Sequence, residues 1–315
     1  MEFGADGGGI FLAVETFAIT GVTGQVGGLV ARRLARLGHQ TPAGARLRLL
    51  ARTEQGATEL AEEVARETAR TQVTVAGAEY RDAGAMRRAL AGTTTLFLVS
   101  GRESADRVTE HLTAVDAAKA AGVRRIVYLS FVGAGPEATF TFARDHWHTE
   151  QHIRRTGLRF TILRDNLYLG QLPLFCGDDG VIRAPAGDGR TAAVAHEDIA
   201  DVAAAVLTTD GYGGQTLNLT GPAALSLDEV AAELTRVAGR EIRYQPETLD
   251  EAYESRGHYG APQFEVDGWV TSYVAIARGD LAEVTPDVER VAGHRPRSFA
   301  EYLAAHPESY RRLKG

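Results

Sequence analysis

The chain has 315 residues, with 34 Lys+Arg against 41 Asp+Glu for a formal net charge of −7, and 44% of its residues are hydrophobic. That balance is globular and allows a sizeable core in roughly one to two domains, while the acidity argues against nucleic acid or an anionic membrane as the main partner. Cys176 is the one cysteine, which excludes a disulfide framework and a cysteine metal cluster, and no apolar run reaches the ~20 residues of a membrane span.

Met1–Ala13 carries Glu2 and Asp6 and no Lys or Arg, so it reads as a short disordered leader rather than a signal peptide, and the expected location is cytoplasmic. Val14–Thr20 reads as a strand, and Gln25–Leu37 as a helix with Val26, Leu29, Val30 and Leu34 on one face. Strands at Leu47–Ala51, Val73–Val75, Thr95–Val99, Arg125–Leu129 and Phe160–Leu163 then alternate with helices at Thr58–Thr68, Ala83–Leu90, Ala105–Ala121 and Arg144–Arg155. Short apolar strands alternating with helices predict βαβ units and a doubly wound parallel sheet over residues 14–165.

After Arg164 the rhythm changes. Gly, Pro and Asp crowd Gly170–Gly189, which reads as a long loop. Helices are expected at Asp198–Thr208, Ser226–Val237, Thr248–Arg256, Phe264–Ala277 and Ser298–Ala304, with strands at Gln215–Leu219 and Ile242–Tyr244. Ser226 and Glu229 make a capping box. Residues 166–315 are expected to form a smaller, mostly helical substrate lobe, with about 190–220 returning to the sheet.

The sharpest motif is Gly21-Val22-Thr23-Gly24-Gln25-Val26-Gly27, between the first expected strand and helix. Glycines there let the backbone approach a pyrophosphate at a helix N-terminus, which predicts a Rossmann-type dinucleotide site. The plain alternative is a structural turn in a chain with 35 glycines. The second strand ends at Ala51-Arg52-Thr53, so Arg52 stands where an acid would bind the ribose of NAD. A guanidinium suits a 2′-phosphate, which favours NADP(H) over NAD(H), although Glu54 is close by.

These residues, taken in order with others, resemble an NmrA-like atypical short-chain dehydrogenase/reductase, most nearly its NAD(P)H:quinone oxidoreductase branch. The resemblance runs through Gly21–Gly27, Leu50-Ala51-Arg52, Asp116–Val123, Ile126–Ser130, His148–Gln151, Thr161–Arg164, Asn166-Leu167-Tyr168 and Gly293–Phe299. It implies that Gly21, Thr23, Gly24, Gln25, Val26 and Gly27 hold the pyrophosphate and that Arg52 meets the 2′-phosphate. By the same resemblance Asp82 lies beside the adenine, Ser100 lines the ribose, and Ser130, Phe131 and Val132 lie near the nicotinamide. Asn166, Leu167 and Tyr168 would border the substrate cleft.

Composition now becomes a filter on mechanism. Only Lys119 and Lys314 are lysines among the 34 basic residues. Short-chain reductases commonly pair Tyr-x-x-x-Lys so that the tyrosine exchanges a proton near neutrality. Lys119 follows Val115, and Tyr310–Lys314 lies in the last six residues, where chain ends fray, so the relay is expected to be absent. Relatives often place a lysine after Thr149-Glu150, and Gln151 stands there in this chain. Glutamine hydrogen-bonds a ribose or carbonyl but supplies no cationic acid.

A quinone remains a suitable acceptor, because its hydroquinone anion is stable and water protonates it readily. Gln151, Tyr168 and His146 are the catalytic candidates, with Tyr168, Phe131 and Trp147 available to stack on a flat acceptor. For Trp147 and Phe131 core packing is the stronger reading. His148 and His152 have the i, i+4 spacing that can hold zinc, but a solvated face is favoured and no metal is expected. His196-Glu197-Asp198 reads as helix capping, and Cys176 as inert. The reading is an NAD(P)H-dependent oxidoreductase acting on a small-molecule acceptor, as a monomer or homodimer. Its rivals are an NADP-binding redox sensor without turnover and a specialised biosynthetic reductase or isomerase.

Overall fold

Buried apolar strands dictate the centre of the molecule. A computed structural model describes residues 15–37, 44–68 and 71–314, so the expected leader and Val14 lie outside the described residues. The first half runs β1 (Thr16–Ile19), α1 (Gln25–Arg36), β2 (Arg46–Ala51), α2 (Glu54–Glu67), β3 (Gln72–Gly77), α3 (Ala83–Ala89), β4 (Thr95–Val99), α4 (Arg107–Ala120), β5 (Arg125–Phe131), α5 (Thr141–Arg155) and β6 (Arg159–Asp165).

The second half adds β7 (Val181–Ala184), β8 (Arg190–Thr191), α6 (His196–Thr208), β9 (Thr216–Leu219), β10 (Leu225–Ser226), α7 (Leu227–Ala238), β11 (Arg243–Pro246), α8 (Leu249–Gly257), α9 (Gln263–Ala277), α10 (Asp287–Ala292) and α11 (Phe299–Ala305).

Seven parallel strands form one sheet in the order β3-β2-β1-β4-β5-β6-β9, the doubly wound arrangement expected from the alternation. Phe17 of β1 is registered with Leu47 of β2 on one side and Thr95 of β4 on the other. Chain order reverses there, and the crevice beyond the strands' carboxyl ends is where such sheets take ligands. Helices cover both faces, because every strand of the centre is apolar on both sides. Val26, Val30 and Leu34 of α1 pack with Ile199, Val202 and Val206 of α6 against one face. Met86, Val115 and Ile153 cover the other. A third core, with Leu227, Leu234, Ile276, Leu303 and Leu313, holds the lobe.

The structure differs from the sequence reading where tertiary packing overrides local signals. Helix α2 starts at Glu54 rather than Thr58, because the Thr53 side chain accepts from Gly56 N and caps it; the glycine in the first turn hides that start. Helix α5 starts at Thr141, where Phe142 and Ala143 are buried. The expected loop Gly170–Gly189 in fact contains most of a 3-10 turn, Leu169–Phe175, and β7, whose partner β11 is remote in sequence. The last described residues, 307–314, are ordered by packing. A 3-10 turn, Pro307–Leu313, buries Tyr310 and Leu313, and Arg312 donates to the Pro173 carbonyl at 2.9 Å. No helix among the described residues is long and apolar enough to cross a membrane.

Candidate dinucleotide site and acceptor cleft

The glycine loop turns between β1 and α1. Gly21 has φ +62, left-handed backbone that favours glycine, and it sits against Val99. A Cβ at Gly27 would overlap the Gly21 carbonyl, so helix α1 approaches the turn only with glycine there. Gly24 is the N-cap and offers no side-chain cap, and the first turn holds no acid. The first N–H groups of α1 are therefore open at the positive end of the helix dipole, an arrangement that fits an anionic pyrophosphate. Thr23, Gly24 and Gln25 are exposed, whereas Val26 and Gly27 are buried and anchor the helix.

Arg52 is exposed just after β2, beside the Thr53 cap of α2, and forms no ion pair with a described residue. Gly56, in the first turn of α2, lies against the Thr23 methyl, so the start of α2 packs on the glycine loop. Asp82 is exposed and caps α3 by accepting from Ala85 N at 2.8 Å. Ser100 follows β4 and is half-buried.

A polar cluster that the sequence reading missed clamps the loop after β4. His111 is pushed down to about 3 by burial and by the Arg107 charge, so its ring is neutral. Its Nε2 accepts from Gly101 N at 2.8 Å, and Nδ1 then donates to Thr149 Oγ1 at 3.0 Å. Arg107 is buried; its Nε donates to the Gly101 carbonyl and its Nη2 to His146 Nε2 at 3.1 Å. Burial, then Arg107, hold His146 well below the usual histidine range, so its Nδ1–H donates to the Tyr128 hydroxyl at 3.0 Å. Both ring nitrogens of His146 are thus used inside the protein, which speaks against it as a proton donor to a ligand.

Ser130 is fully buried and donates to Glu150 Oε1 at 2.6 Å, while Arg164 grips the same carboxylate at 2.8 and 2.7 Å. Its hydroxyl therefore faces α5. Phe131 is buried edge-on against Phe140, and Val132 N donates to the Asp165 carbonyl at 2.8 Å. Gln151 is half-buried on α5, and its side chain bonds to no described residue. His152 lies 2.7 Å from Asp116, and His148 packs edge-on against Trp147. Cys176 is buried and donates to the Gly177 carbonyl.

A cleft of about 830 Å³ opens between the sheet's carboxyl edge and the lobe. Phe140, Phe142, Leu167, Phe175, Trp269 and Tyr273 form its apolar walls, with Glu103, Gln171, Arg183, Glu247, Arg256 and His258 as its polar groups. Gly268 lets α9 close onto the Phe142 ring, where a Cβ would collide. Arg256 donates to Glu247 at 2.9 Å and to the Arg183 carbonyl at 3.0 Å, so its charge is matched. Tyr259 and Trp269 stand edge-to-face at the exposed rim. A second space of about 710 Å³ reaches Gln25 of the glycine loop, and Leu174 lines both.

Asn166, Leu167 and Tyr168 follow β6 but face different ways. Asn166 is buried, donates to the Leu281 carbonyl at 3.0 Å, and accepts from Leu167 N and Thr191 Oγ1. It braces the chain, while Leu167 lines the cleft. Tyr168 stacks on His196 at 4.2 Å and donates to Asp165 Oδ2 at 2.6 Å. Lys119 donates to the Thr156 carbonyl, and the Lys314 ammonium lies over the Tyr310 ring.

A parallel sheet that reverses at β1 and β4, with a glycine turn and an uncapped helix N-terminus at that crevice, defines a Rossmann-type protein with a dinucleotide site. The NmrA-like family profile matches residues 14–261, and the chain belongs to the NmrA-like family. Among its relatives is the (4-alkanoyl-5-oxo-2,5-dihydrofuran-3-yl)methyl phosphate reductase of Streptomyces griseus, 33% identical over 93% of this chain and 98% of that one. The structure is similar to the NADPH-dependent quinone oxidoreductase of Escherichia coli complexed with NADPH, at TM-score 0.80 and 30% identity, covering 92% of this chain and 99% of that one. It is also similar to the triphenylmethane reductase of a Citrobacter species complexed with NADP(H), at TM-score 0.77 and 28% identity, covering 92% and 99%.

Proposed function

We propose that the protein is an NADPH-dependent oxidoreductase that passes hydride to a flat, conjugated small molecule, such as a quinone, held in the apolar cleft. The observation that supports this reading is a cleft of about 830 Å³ walled by Phe140, Phe142, Phe175, Trp269 and Tyr273, in a chain that also carries the glycine turn at the uncapped N-terminus of α1. The relatives act in the same class, as reductases of a quinone, a triphenylmethane and an unsaturated lactone.

Bound NADPH supplies a hydride with its two electrons. The backbone of Gly21–Gly27 holds the pyrophosphate, Arg52 the 2′-phosphate, and Asp82, Ser100, Phe131 and Val132 border the rest of the cofactor. Gln151 and the backbone of Ser130 remain candidates for contacts around the nicotinamide ribose. The walls of the cleft exclude water and align the acceptor, which is where such an enzyme gains most of its rate. The reading calls on no Tyr-x-x-x-Lys relay: Lys119 donates to the Thr156 carbonyl at the end of α5, and Tyr310 with Lys314 lies in the closing 3-10 turn. A quinone suits this arrangement because its reduced form needs no strong acid. The rival reading, a dinucleotide sensor without turnover, leaves a cleft of about 830 Å³ without a role.

The test is NADPH oxidation across a panel of quinones. Turnover with NADPH preferred over NADH is expected. Tight NADPH binding with no oxidation by any acceptor would contradict the proposal.

A further inference from the structure

Five large apolar side chains stand exposed among the described residues, and three of them, Leu174, Tyr259 and Trp269, line the one cleft. A single exposed apolar side chain needs no explanation, but three around one cavity mark a ligand surface. They come from three separate segments: the 3-10 turn after β6, the connection between α8 and α9, and α9 itself.

Exposure falls steeply along the cleft. Leu174 and Tyr259 are 63% and 65% exposed, whereas Phe142 and Leu167 are 8% exposed. The buried end lies against the sheet, because Leu167 follows β6 and Phe140 packs edge-on against Phe131 at the end of β5. On α9, Trp269 and Tyr273 are one turn apart and both line the cleft, with Tyr273 edge-on to Phe175. An apolar wall thus leads from the strand ends out to the rim.

We infer that the acceptor is an uncharged quinone carrying a hydrocarbon chain, its ring held at the buried end by Phe140, Phe142 and Leu167 and its chain laid over Leu174, Tyr259 and Trp269. The inference rests on the reductase reading above and narrows its substrate class. A cleft of about 830 Å³ has the size that encloses a drug-sized ligand, well beyond one quinone ring. The chain gains affinity there because apolar surface of both partners leaves water together, up to about fourfold for each methylene wholly buried.

Charge selects against an anionic acceptor. Arg183 donates to Asp179 at 2.7 Å, and Arg256 donates to Glu247 at 2.9 Å with its guanidinium over the Tyr273 ring. Among the described residues no lysine and no other arginine lines the cleft, and Glu103 adds a carboxylate. A phosphate or carboxylate on the acceptor would therefore be desolvated beside a negative group with no unmatched guanidinium to receive it.

The test is a series of alkyl-substituted para-quinones, from methyl to heptyl, whose ring chemistry barely changes with chain length. Through a falling KM, kcat/KM should rise about twofold per methylene, the half-burial of an open rim. The rise should largely vanish in the double variant Leu174→Ser with Tyr259→Ser, whose side chains are exposed and leave the core intact. Turnover of the methyl compound with a flat series, or the same rise in wild type and variant, overturns the chain subsite alone. No turnover of any member while NADPH binds overturns the reductase reading.

Binding without turnover is read from tryptophan fluorescence, since Trp269 stands at the rim. The Kd of redox-inert para-alkylphenols should fall along the same series in wild type and not in the double variant. A Kd independent of chain length overturns the chain subsite whatever the quinones do. A para-heptylbenzoate binding more tightly than para-heptylphenol overturns the uncharged class.

Discussion

The glycine loop and the cleft lined by Phe140, Leu167 and Trp269 are built in opposite ways. The loop is one contiguous stretch whose chemistry lies in its backbone. Gly21 supplies left-handed φ, Gly27 supplies absent volume, and α1 supplies the dipole. The cleft is assembled from side chains that are remote in sequence, from Glu103 through Phe140 and Leu167 to Arg256 and Trp269, and it exists only after the lobe folds. The contrast teaches that the nucleotide half depends on a few irreplaceable positions, whereas the acceptor half spreads recognition over many.

Substitutions sharpen that contrast. The largest effect is expected from Gly27→Val, which places a side chain on the Gly21 carbonyl. Dinucleotide affinity should fall by more than about a hundredfold in a fluorescence titration, because the turn and the anion site are lost together. A loss of less than about tenfold would mean that the turn is not the anion site. Arg52→Glu should weaken NADPH by about tenfold or more and leave NADH nearly unaffected, since only the 2′-phosphate loses its partner. An unchanged preference would discard that role.

On the cleft side the effects should be smaller. Trp269→Ala removes one rim aromatic and should raise KM for an aromatic acceptor about fivefold without changing NADPH affinity. Equal damage to both ligands would mean that the two spaces are not separable. The mildest change is in stability. The Asp165 carboxyl, raised to about 8 by burial in the folded state, stabilises the protein fully below its ordinary value of ~4, and that contribution is lost as pH rises through 8. Asp165→Asn should therefore raise the thermal midpoint relative to wild type at about pH 8.5 and leave the difference smallest at about pH 4. A pH-independent difference would show that burial does not hold that proton.

Much of the nucleotide half was legible in the sequence, because its signals are local. Strand alternation gave the parallel sheet, and the glycine spacing gave the turn. The Ser226–Glu229 capping box appears as expected, with reciprocal bonds of 3.0 and 3.2 Å. Asp165 was passed over beside Asn166-Leu167-Tyr168, since an aspartate after a strand is unremarkable until its burial and its tyrosine partner are known. Arg107 and His111 read as ordinary residues at the start of a helix, and only the fold brings them onto Gly101. Trp269 lies in a helix whose apolar residues do not mark a face. Helix α10, Asp287–Ala292, is too short to show a period.

One measurement bears most directly on the central claim. NADPH-loaded protein is mixed with a substoichiometric quinone, and oxidised cofactor and hydroquinone are counted in a single turnover. The account predicts one NADP⁺ formed per hydroquinone, with NADH reacting less efficiently than NADPH. Cofactor that stays bound and reduced while the quinone remains unchanged would contradict it.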